Sequence, residues 1–312
     1  MTKMEIRFID INGYSDCIEM TNGDARVVIE PNCGGRILYY EYNGVNALFV
    51  DPEDDGYLLE SGKSPPGPNT PCGGRCDIGP EMTIPPHPDL WLGNWIARVQ
   101  DGQTVEMTSI MDHETGVQLT RTVSLEEHFA KLKFTQSILN ISESPKQYCH
   151  WSRTLCTGGG IAIAPINRNS RFPNGYLTYG PGDVMQYRPE CEPNVCIHEG
   201  LLQIYGPTSH KKFTMDLSEG WLAYLTRDSR LFIKKFPVYP GRLYGDISAH
   251  NLSFWYHDEQ TCEVAPIGPL EFIQPSYEAS FAETWYLVEY DYPGRTAVRS
   301  SDIQKIVDIL VM

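Results

Sequence analysis

The sequence predicts an all-β protein, a large β-sandwich with one short C-terminal helix. Short apolar runs cut by turn residues recur along its 312 residues, which is the pattern of many strands. Aromatic residues, which favour strands, are frequent, with 18 Tyr, 11 Phe and 6 Trp. The 27 Gly and 23 Pro supply the turns. Because no linker or change of composition divides the chain, we expect a single domain over residues 1–312.

The predicted strands follow one another at short intervals. Residues 117–125 show the pattern best, because apolar and polar side chains alternate there with a period of two. The other predicted strands are Ala25–Pro31, Arg36–Tyr42, Ala47–Asp51, Thr104–Met111, Ala130–Ile141, Gln147–Leu155, Gly159–Ile166, Leu201–Tyr205, Phe213–Leu217, Trp221–Thr226, Arg230–Phe236, Leu252–His257, Leu270–Ile273 and Glu283–Tyr292.

Two long loops and one helix complete the predicted architecture. Residues 52–90 are rich in proline and residues 167–200 in Gly and Pro, so both stretches read as irregular excursions, the first of them functional. The helix begins at Ser300 or Ser301, either of which can cap it. Its apolar residues recur at helical spacing, at Ile303, Ile306, Val307 and Leu310.

Charge and cysteine content limit the classes of function. Lys and Arg number 25 against 40 Asp and Glu, and the net charge of −15 argues against a nucleic-acid or anionic membrane partner. The nine cysteines form no Cys-x-x-Cys pair. No run near 18 apolar residues and no signal-peptide pattern are present, so we expect a cytoplasmic protein with free thiols.

The first cluster of reactive side chains lies in residues 73–91. It brings together Arg75, Asp77, Glu81, His87 and Asp89, with Trp91 beside them. A solvated loop is one interpretation. The functional interpretation is a substrate rim in which Arg75 clamps an anion or a hydroxyl group. We expect no cofactor; a divalent metal on the four acidic and histidine side chains is an alternative without a diagnostic spacing.

Further candidates lie on predicted strands. On the strand through residues 148–154, His150 shares a face with Ser152 and Thr154, while Trp151 and Arg153 share the other. Arg121 sits among the apolar positions of its strand, which indicates a buried ion pair or a contact with substrate. The pairs Lys211-Lys212 and Lys234-Lys235 are interpreted as solvated edge guards, which are charged side chains that keep a sheet edge from pairing with another strand.

Several motifs follow one another along the chain: Gly34–Ile37, Gly116–Leu125, Leu132–Ser142 followed by Pro145 and His150, Glu263–Leu270, and Pro275–Glu278 followed by Trp285. In this order they resemble the motifs of the galactose mutarotase-like (aldose 1-epimerase-like) superfamily, and the resemblance implies a β-supersandwich. The string Gly-Gly-Arg-Cys-Asp-Ile-Gly-Pro-Glu departs from the usual pattern of that superfamily and indicates a separate branch.

The resemblance implies a pair of catalytic residues. The general acid of the family corresponds to His150 and the general base to Glu278, although Glu283 or Glu263 could hold the second role because of one extra residue after Pro275. The family string Asn-His-x-Tyr-Phe-Asn is absent, which argues against simple galactose mutarotation. The predicted substrate-binding residues are Arg75, Asp77, His87, Trp91, Arg153, Glu263 and Arg121, with Trp95 and Trp151 as further stacking surfaces.

The predicted activity is acid–base catalysis at the anomeric centre of a sugar, as in an isomerase of the mutarotase type. The partner would be a small-molecule sugar or an oligosaccharide. One alternative is a lyase or hydrolase of the same fold, in which Arg75 or Arg153 neutralises a uronate and His150 or Tyr244 removes a proton. The other alternative is a sugar-binding protein without catalysis.

Overall fold

The computed structural model describes residues 4–60, 63–180, 182 and 184–311. The few residues outside these ranges include parts of both predicted excursions and the two ends of the predicted domain. The described chain is built of β-strands with two α-helices, α1 (Pro88–Leu92) and α2 (Ser300–Val311), and a 3-10 turn at Pro52–Asp54. None of the described helices combines the length and apolar character needed to cross a membrane.

The larger sheet has ten antiparallel strands in the order β16-β17-β13-β19-β20-β24-β10-β9-β8-β7. Its centre is the long strand β24, which pairs with β10 and β20. Its strands are β7 (Ile96–Val99), β8 (Thr104–Thr108), β9 (Val117–Leu125), β10 (Lys131–Asn140), β13 (Ile161–Pro165), β16 (Val195–His198), β17 (Leu201–Ile204), β19 (Trp221–Leu225), β20 (Arg230–Lys235) and β24 (Glu278–Glu289).

The opposing layer is made of a five-stranded and a six-stranded sheet, with orders β1-β2-β3-β4-β5 and β12-β22-β21-β18-β14-β15. A bridge between Leu48 and Cys156 joins the two. The strands are β1 (Glu5–Ile11), β2 (Tyr14–Thr21), β3 (Ala25–Glu30), β4 (Arg36–Tyr42), β5 (Val45–Asn46), β12 (Thr154–Thr157), β14 (Leu177–Tyr179), β15 (Met185–Gln186), β18 (Lys212–Met215), β21 (Leu252–Tyr256) and β22 (Thr261–Pro266).

A small sheet in the order β23-β11-β6 closes one end and leads into the candidate site. It consists of β6 (Asp77–Gly79), β11 (Lys146–Trp151) and β23 (Glu271–Ile273). Because β6 belongs to the long loop after residue 52, this sheet fixes that loop against the rest of the fold.

The two layers pack face to face around aromatic side chains. Tyr40 of β4 lies 5.8 Å from Phe232 of β20 and 6.0 Å from Trp285 of β24, measured between ring centroids. Phe134 of β10 stacks on Trp285 at 5.7 Å. Such interdigitation of two inner faces is the core of a β-sandwich, so the predicted fold class is confirmed.

Most predicted strands are present, and the differences have local causes. The alternation of residues 117–125 gives β9 with buried and half-buried positions in turn. The stretch Ala47–Asp51 is predicted as a strand, but the ladder of β5 ends at Asn46 and Leu48 forms only an isolated bridge with Cys156. One cause is that the Asn46 side chain turns back to accept from Leu48 N and Tyr40 N, which closes a turn instead of a ladder. The predicted helix is α2, and Pro88 at the start of α1 adds a second helix inside the loop.

Two glycines bring that loop close to the sandwich. Gly34 and Gly35, between β3 and β4, have φ of 74° and 55°, a region that favours glycine. A Cβ atom on Gly35 would lie 2.6 Å from Cδ2 of Trp95, so only glycine admits the indole there. This contact anchors the chain just after α1, which carries Trp91 toward the site described next.

Candidate functional site

The site is built on one row of side chains across the six-stranded sheet. Tyr179 pairs with Lys212, Lys212 with Trp255, and Trp255 with Glu263, on β14, β18, β21 and β22. Directly paired residues of neighbouring strands project from the same face of a sheet. The register therefore places one cation, one carboxylate and two aromatic rings side by side.

Glu263 is the buried anion of this row and is held by two arginines. Arg75 Nη2 donates to Glu263 Oε2 over 2.9 Å, and Arg153 Nε donates to the same oxygen over 3.2 Å. Burial alone would raise the pKa of Glu263, but Arg153 and Arg75 outweigh it and lower the pKa to about 2. The carboxylate is thus ionised and engaged, which suits a structural anchor better than a proton acceptor.

Two indole rings support these cations. The Arg75 guanidinium lies 4.9 Å and that of Arg153 5.3 Å from the Trp91 ring centroid. The Arg153 guanidinium also lies 4.8 Å from the centroid of the Trp151 ring, at the end of β11 in the small sheet. Cation–π contacts of this kind fix the orientation of long side chains that would otherwise lose much entropy.

Asp77 and His87 extend the network toward the surface. His87 Nε2 lies 2.8 Å from Asp77 Oδ1, and His87 Nδ1 lies 2.7 Å from the carbonyl oxygen of Pro85. Burial alone would lower the pKa of His87, but the hydrogen bond with Asp77 outweighs it and raises that pKa. When it is protonated, the ring can donate through both nitrogens. Asp77 Oδ2 also faces Arg153 Nη1 at 3.8 Å, so the pair shares its charge with the arginine.

Lys212 is enclosed by aromatic rings. Its ammonium group lies 5.3 Å from the ring of Trp151, 5.2 Å from that of Tyr179 and 5.7 Å from that of Trp255. Glu81, from the loop after β6, accepts a hydrogen bond from Lys212 Nζ over 2.9 Å. The cation is thus fixed by three rings and one partly exposed carboxylate.

A cleft of about 470 Å³ lies beside Lys212 and is bordered by Glu81, Tyr179 and Trp255. This volume is within the range of about 300–1,000 Å³ typical of small-ligand sites. Cations, anions and rings alternate around the cleft, an arrangement that can hydrogen-bond hydroxyl groups and cover an apolar sugar face. Its lining includes Glu81, Tyr179, Lys211, Lys212, Asp246 and Trp255.

The structure brings most of the predicted binding residues together. The members that meet in one connected cluster are Arg75, Asp77, His87, Trp91, Arg153 and Glu263. The strand predicted through residues 148–154 is broken between β11 and β12, which belong to different sheets. Trp151 and Arg153 nevertheless face this cluster, while Ser152 and Thr154 contact Lys234 and His150 packs on Phe281.

Arg121 is placed elsewhere. It is buried, lies 4.1 Å above the Trp95 ring, and donates to the carbonyl oxygens of Gly34, Gly35 and Cys76 and to Gln136. These hydrogen bonds hold the loop that carries the cluster, and the buried guanidinium group of Arg121 is not directed at a ligand.

His150 and Glu278 occupy different environments. His150 is 2 % exposed, stacks on Phe281 at 5.8 Å, and its Nε2 lies 3.1 Å from the carbonyl oxygen of Ala279. Burial lowers its pKa to about 4. Glu278, at the start of β24, is exposed to solvent. Among the described residues that line the cleft, neither of the two is found.

Three of the four groups proposed for a metal have other partners, and the fourth is exposed. Asp77 and His87 contact each other, Glu81 pairs with Lys212, and Asp89 is exposed on α1. Within the ranges that the structure describes, no group of three or more His, Cys, Asp or Glu side chains is arranged to hold a metal ion.

Several residues of the cleft were not predicted. Lys212 was interpreted as a solvated edge guard, and that interpretation is wrong because the rings around it leave its side chain only 14 % exposed. Lys234 was interpreted in the same way and is fully buried. Tyr179, Trp255 and Asp246 carried no local motif. The available signal was the alternation of Lys212 and Thr214 with Phe213 and Met215, which places Lys212 on one face of a strand.

Three solved structures are similar to this chain over most of their length. A galactose mutarotase-like protein from Lactobacillus casei ATCC 334 is 10% identical, with 87% of this chain and 100% of that chain covered and a TM-score of 0.59. A putative mutarotase from Salmonella typhimurium is 9% identical, with 91% and 94% covered and a TM-score of 0.59. A putative aldose 1-epimerase from Escherichia coli K12 is 8% identical, with 92% and 99% covered and a TM-score of 0.54.

These likenesses establish the fold. No family model matches the sequence, and no curated protein matches it. At identities of 8–10% the shared feature is the architecture, so the chain has the galactose mutarotase-like β-sandwich fold that its motifs resemble.

Proposed function

We propose that this protein is a carbohydrate-active isomerase that binds a sugar in the cleft beside Lys212 and exchanges its anomers. The observation that carries the proposal is the cleft itself. A carboxylate, an ammonium group and aromatic rings converge on about 470 Å³ of space in a mutarotase-like fold. Aromatic faces bind the apolar side of a sugar ring, and paired charges bind its hydroxyl groups.

The reaction needs a base and an acid. The base removes the proton of the anomeric hydroxyl while the acid protonates the ring oxygen, and the bond between that oxygen and the anomeric carbon breaks. Rotation of the open-chain aldehyde and the reverse steps then give either anomer. No redox change occurs, and each proton returns when the ring closes.

We place these two roles on Glu81 and Lys212. They share the cleft, their charged atoms lie 2.9 Å apart, and the Glu81 side chain is 35% exposed and can reach a ligand. The resemblance implies the pair His150 and Glu278 instead. His150 is buried and Glu278 is exposed, so the two side chains are not suited to act on one bound substrate. Arg153 would then act indirectly, because it and Lys212 both lie over the Trp151 ring.

Anomer exchange is measured by saturation-transfer NMR on D-glucose, D-galactose, their 6-phosphates and the corresponding uronates. We expect exchange above the uncatalysed rate for at least one of them. Glu81→Gln and Lys212→Met should each lower kcat/KM by about 10²–10⁴ while the fold is retained. The matched controls are Glu271→Gln, which removes a carboxylate paired with Arg242, and Lys305→Met on the exposed face of α2.

The outcomes separate the alternatives. Rates at background for the whole panel, with sugar binding retained, would leave a binding protein and overturn the isomerase. A conjugated product that absorbs in the ultraviolet would identify elimination instead. Exchange unaffected by Glu81→Gln and Lys212→Met would move the acid and base to other residues.

A further inference from the structure

A chain of buried polar groups lies behind one wall of the cleft and has no part in the proposed acid–base step. The segment between β20 and β21 contributes Asp246, Ser248 and His250, all less than 10% exposed. His250 Nδ1 lies 2.6 Å from Ser248 Oγ, and His250 Nε2 lies 3.4 Å from Asp246 Oδ2. The hydroxyl of Tyr179 donates to Ser248 Oγ over 3.3 Å. Tyr179 and Asp246 both line the cleft, so the chain returns to it at both ends.

The Asp246 carboxylate favours one tautomer of His250 and thereby one direction for the hydrogen bonds of Ser248 and Tyr179. Burial, together with Lys212 and Arg171, lowers the pKa of His250 to about 3, so its ring is neutral and carries one hydrogen. His250 Nε2 makes no hydrogen bond with the described residues, but Asp246 Oδ2 lies 3.4 Å from it, and a carboxylate so close favours a hydrogen over a lone pair on that nitrogen. His250 Nδ1 must then accept from the Ser248 hydroxyl. The single hydrogen of the Ser248 hydroxyl is used in this bond, so the Ser248 oxygen accepts the hydrogen bond from the Tyr179 hydroxyl.

The hydroxyl group of Tyr179 can therefore only accept a hydrogen bond from a ligand in the cleft. Its only O–H is directed at Ser248, so its oxygen presents lone pairs and no hydrogen to a ligand. We infer that Tyr179 is a specificity-determining residue, which accepts a hydrogen bond from one hydroxyl group of the bound sugar, with Ser248, His250 and Asp246 as the residues that fix this polarity. The inference rests on the proposed function, since it concerns a sugar in the same cleft.

The test uses ligands that keep the shape of a hydroxyl but cannot donate. Binding to the full-length protein is measured by calorimetry for D-glucose, D-galactose and the complete sets of their monodeoxyfluoro derivatives. At one ring position, replacement of hydroxyl by fluorine should weaken binding roughly tenfold, the value of one good hydrogen bond. In Tyr179→Phe the parent sugar should bind roughly tenfold more weakly, and the difference between hydroxyl and fluorine at that position should disappear.

A second variant tests the role of the chain behind the tyrosine. Ser248→Ala removes the acceptor of the Tyr179 hydrogen, so the hydroxyl is free to donate into the cleft. The fluorinated sugar should then gain affinity relative to the parent, an effect that mere loss of packing would not produce. The control is Tyr205→Phe, which removes a hydroxyl bound to Gln203 on β17. Circular dichroism checks that each variant is folded.

The failures of the two proposals can be told apart. If neither parent sugar binds and no anomer exchange is found, the proposed function is overturned and the inference falls with it. If a parent sugar binds but replacement of hydroxyl by fluorine lowers the affinity equally in the original protein and in Tyr179→Phe, the inference alone is overturned. It is likewise overturned if Ser248→Ala leaves the preference for hydroxyl unchanged.

Discussion

Arg75 donates to Glu263 over 2.9 Å, and both side chains are buried although 188 residues separate them in sequence. This contact is one step in a series of alternating charges that runs from Arg75 through Glu263, Arg153 and Asp77 to His87. Glu263 lies between the guanidinium groups of Arg75 and Arg153. Removal of its charge therefore leaves two cations facing each other in the interior.

Glu263→Gln should lower the free energy of unfolding by about 3–5 kcal/mol, because it leaves the two arginines without a buried counter-charge. Urea denaturation followed by tryptophan fluorescence measures this change. Glu271→Gln is the matched control, since its partner Arg242 is partly exposed and the loss should be about 1 kcal/mol or less. Equal losses for the two variants would contradict the structural role given to Glu263.

The same carboxylate should make stability depend on pH. Its pKa falls from an ordinary 4.5 to about 2 in the folded protein, so its contribution is complete above pH 4.5 and is lost as the pH falls toward 2. The free-energy difference between the original protein and Glu263→Gln should shrink by about 2 kcal/mol on going from pH 7 to pH 3. Thermal unfolding of both proteins across this range is the measurement. A constant difference would show that the carboxyl group titrates normally.

Local pattern predicted the strands better than the site. The alternation in residues 117–125 is a property of nine consecutive residues, and β9 follows it closely. The cluster in residues 73–91 was also visible, because Arg75, Asp77 and His87 are dense in sequence. Trp255 and Lys212 become neighbours only through the pairing of β18 with β21, a relation that no local spacing encodes.

The expected roles of the histidines show a second limit. Resemblance selected His150 by its place after the strand that ends at residue 140, but sequence does not show what covers a side chain. Phe281 stacks on its ring, and Gly268 lies close to its Cβ atom. His87, which is predicted as a binding residue from the cluster in residues 73–91, has the carboxylate partner and the raised pKa.

His150 should stay neutral across the physiological range. Burial lowers its pKa to about 4, below its ordinary 6.5, so the imidazole gains a proton only in acid. Its ring ¹⁵N shifts, assigned by comparison with His150→Gln, should be constant between pH 8 and pH 5.5. Exposed His113 gives an internal reference spectrum. A midpoint near 6.5 for His150 would contradict its enclosure and restore it as a candidate acid.

Lys234 and Glu283 form a second buried ion pair. Removal of the Lys234 charge alone should destabilise the protein more than removal of both charges. Lys234 Nζ lies 3.3 Å from Glu283 Oε2 and donates to Ser152 Oγ and Thr154 Oγ1 at 2.8 Å each. Lys234→Met should cost about 3–5 kcal/mol, because it leaves an unpaired carboxylate in the core.

Adding Glu283→Gln to Lys234→Met should recover part of that loss, since neither remaining side chain is charged and Trp285 Nε1 can still donate to the amide oxygen. Urea denaturation of the two single variants and the double variant gives the coupling energy. Lys235→Met, one residue further along β20, is the control and should cost little. A double variant as unstable as the two single losses combined would show that the charges do not interact, and Glu283 would then be open to another role.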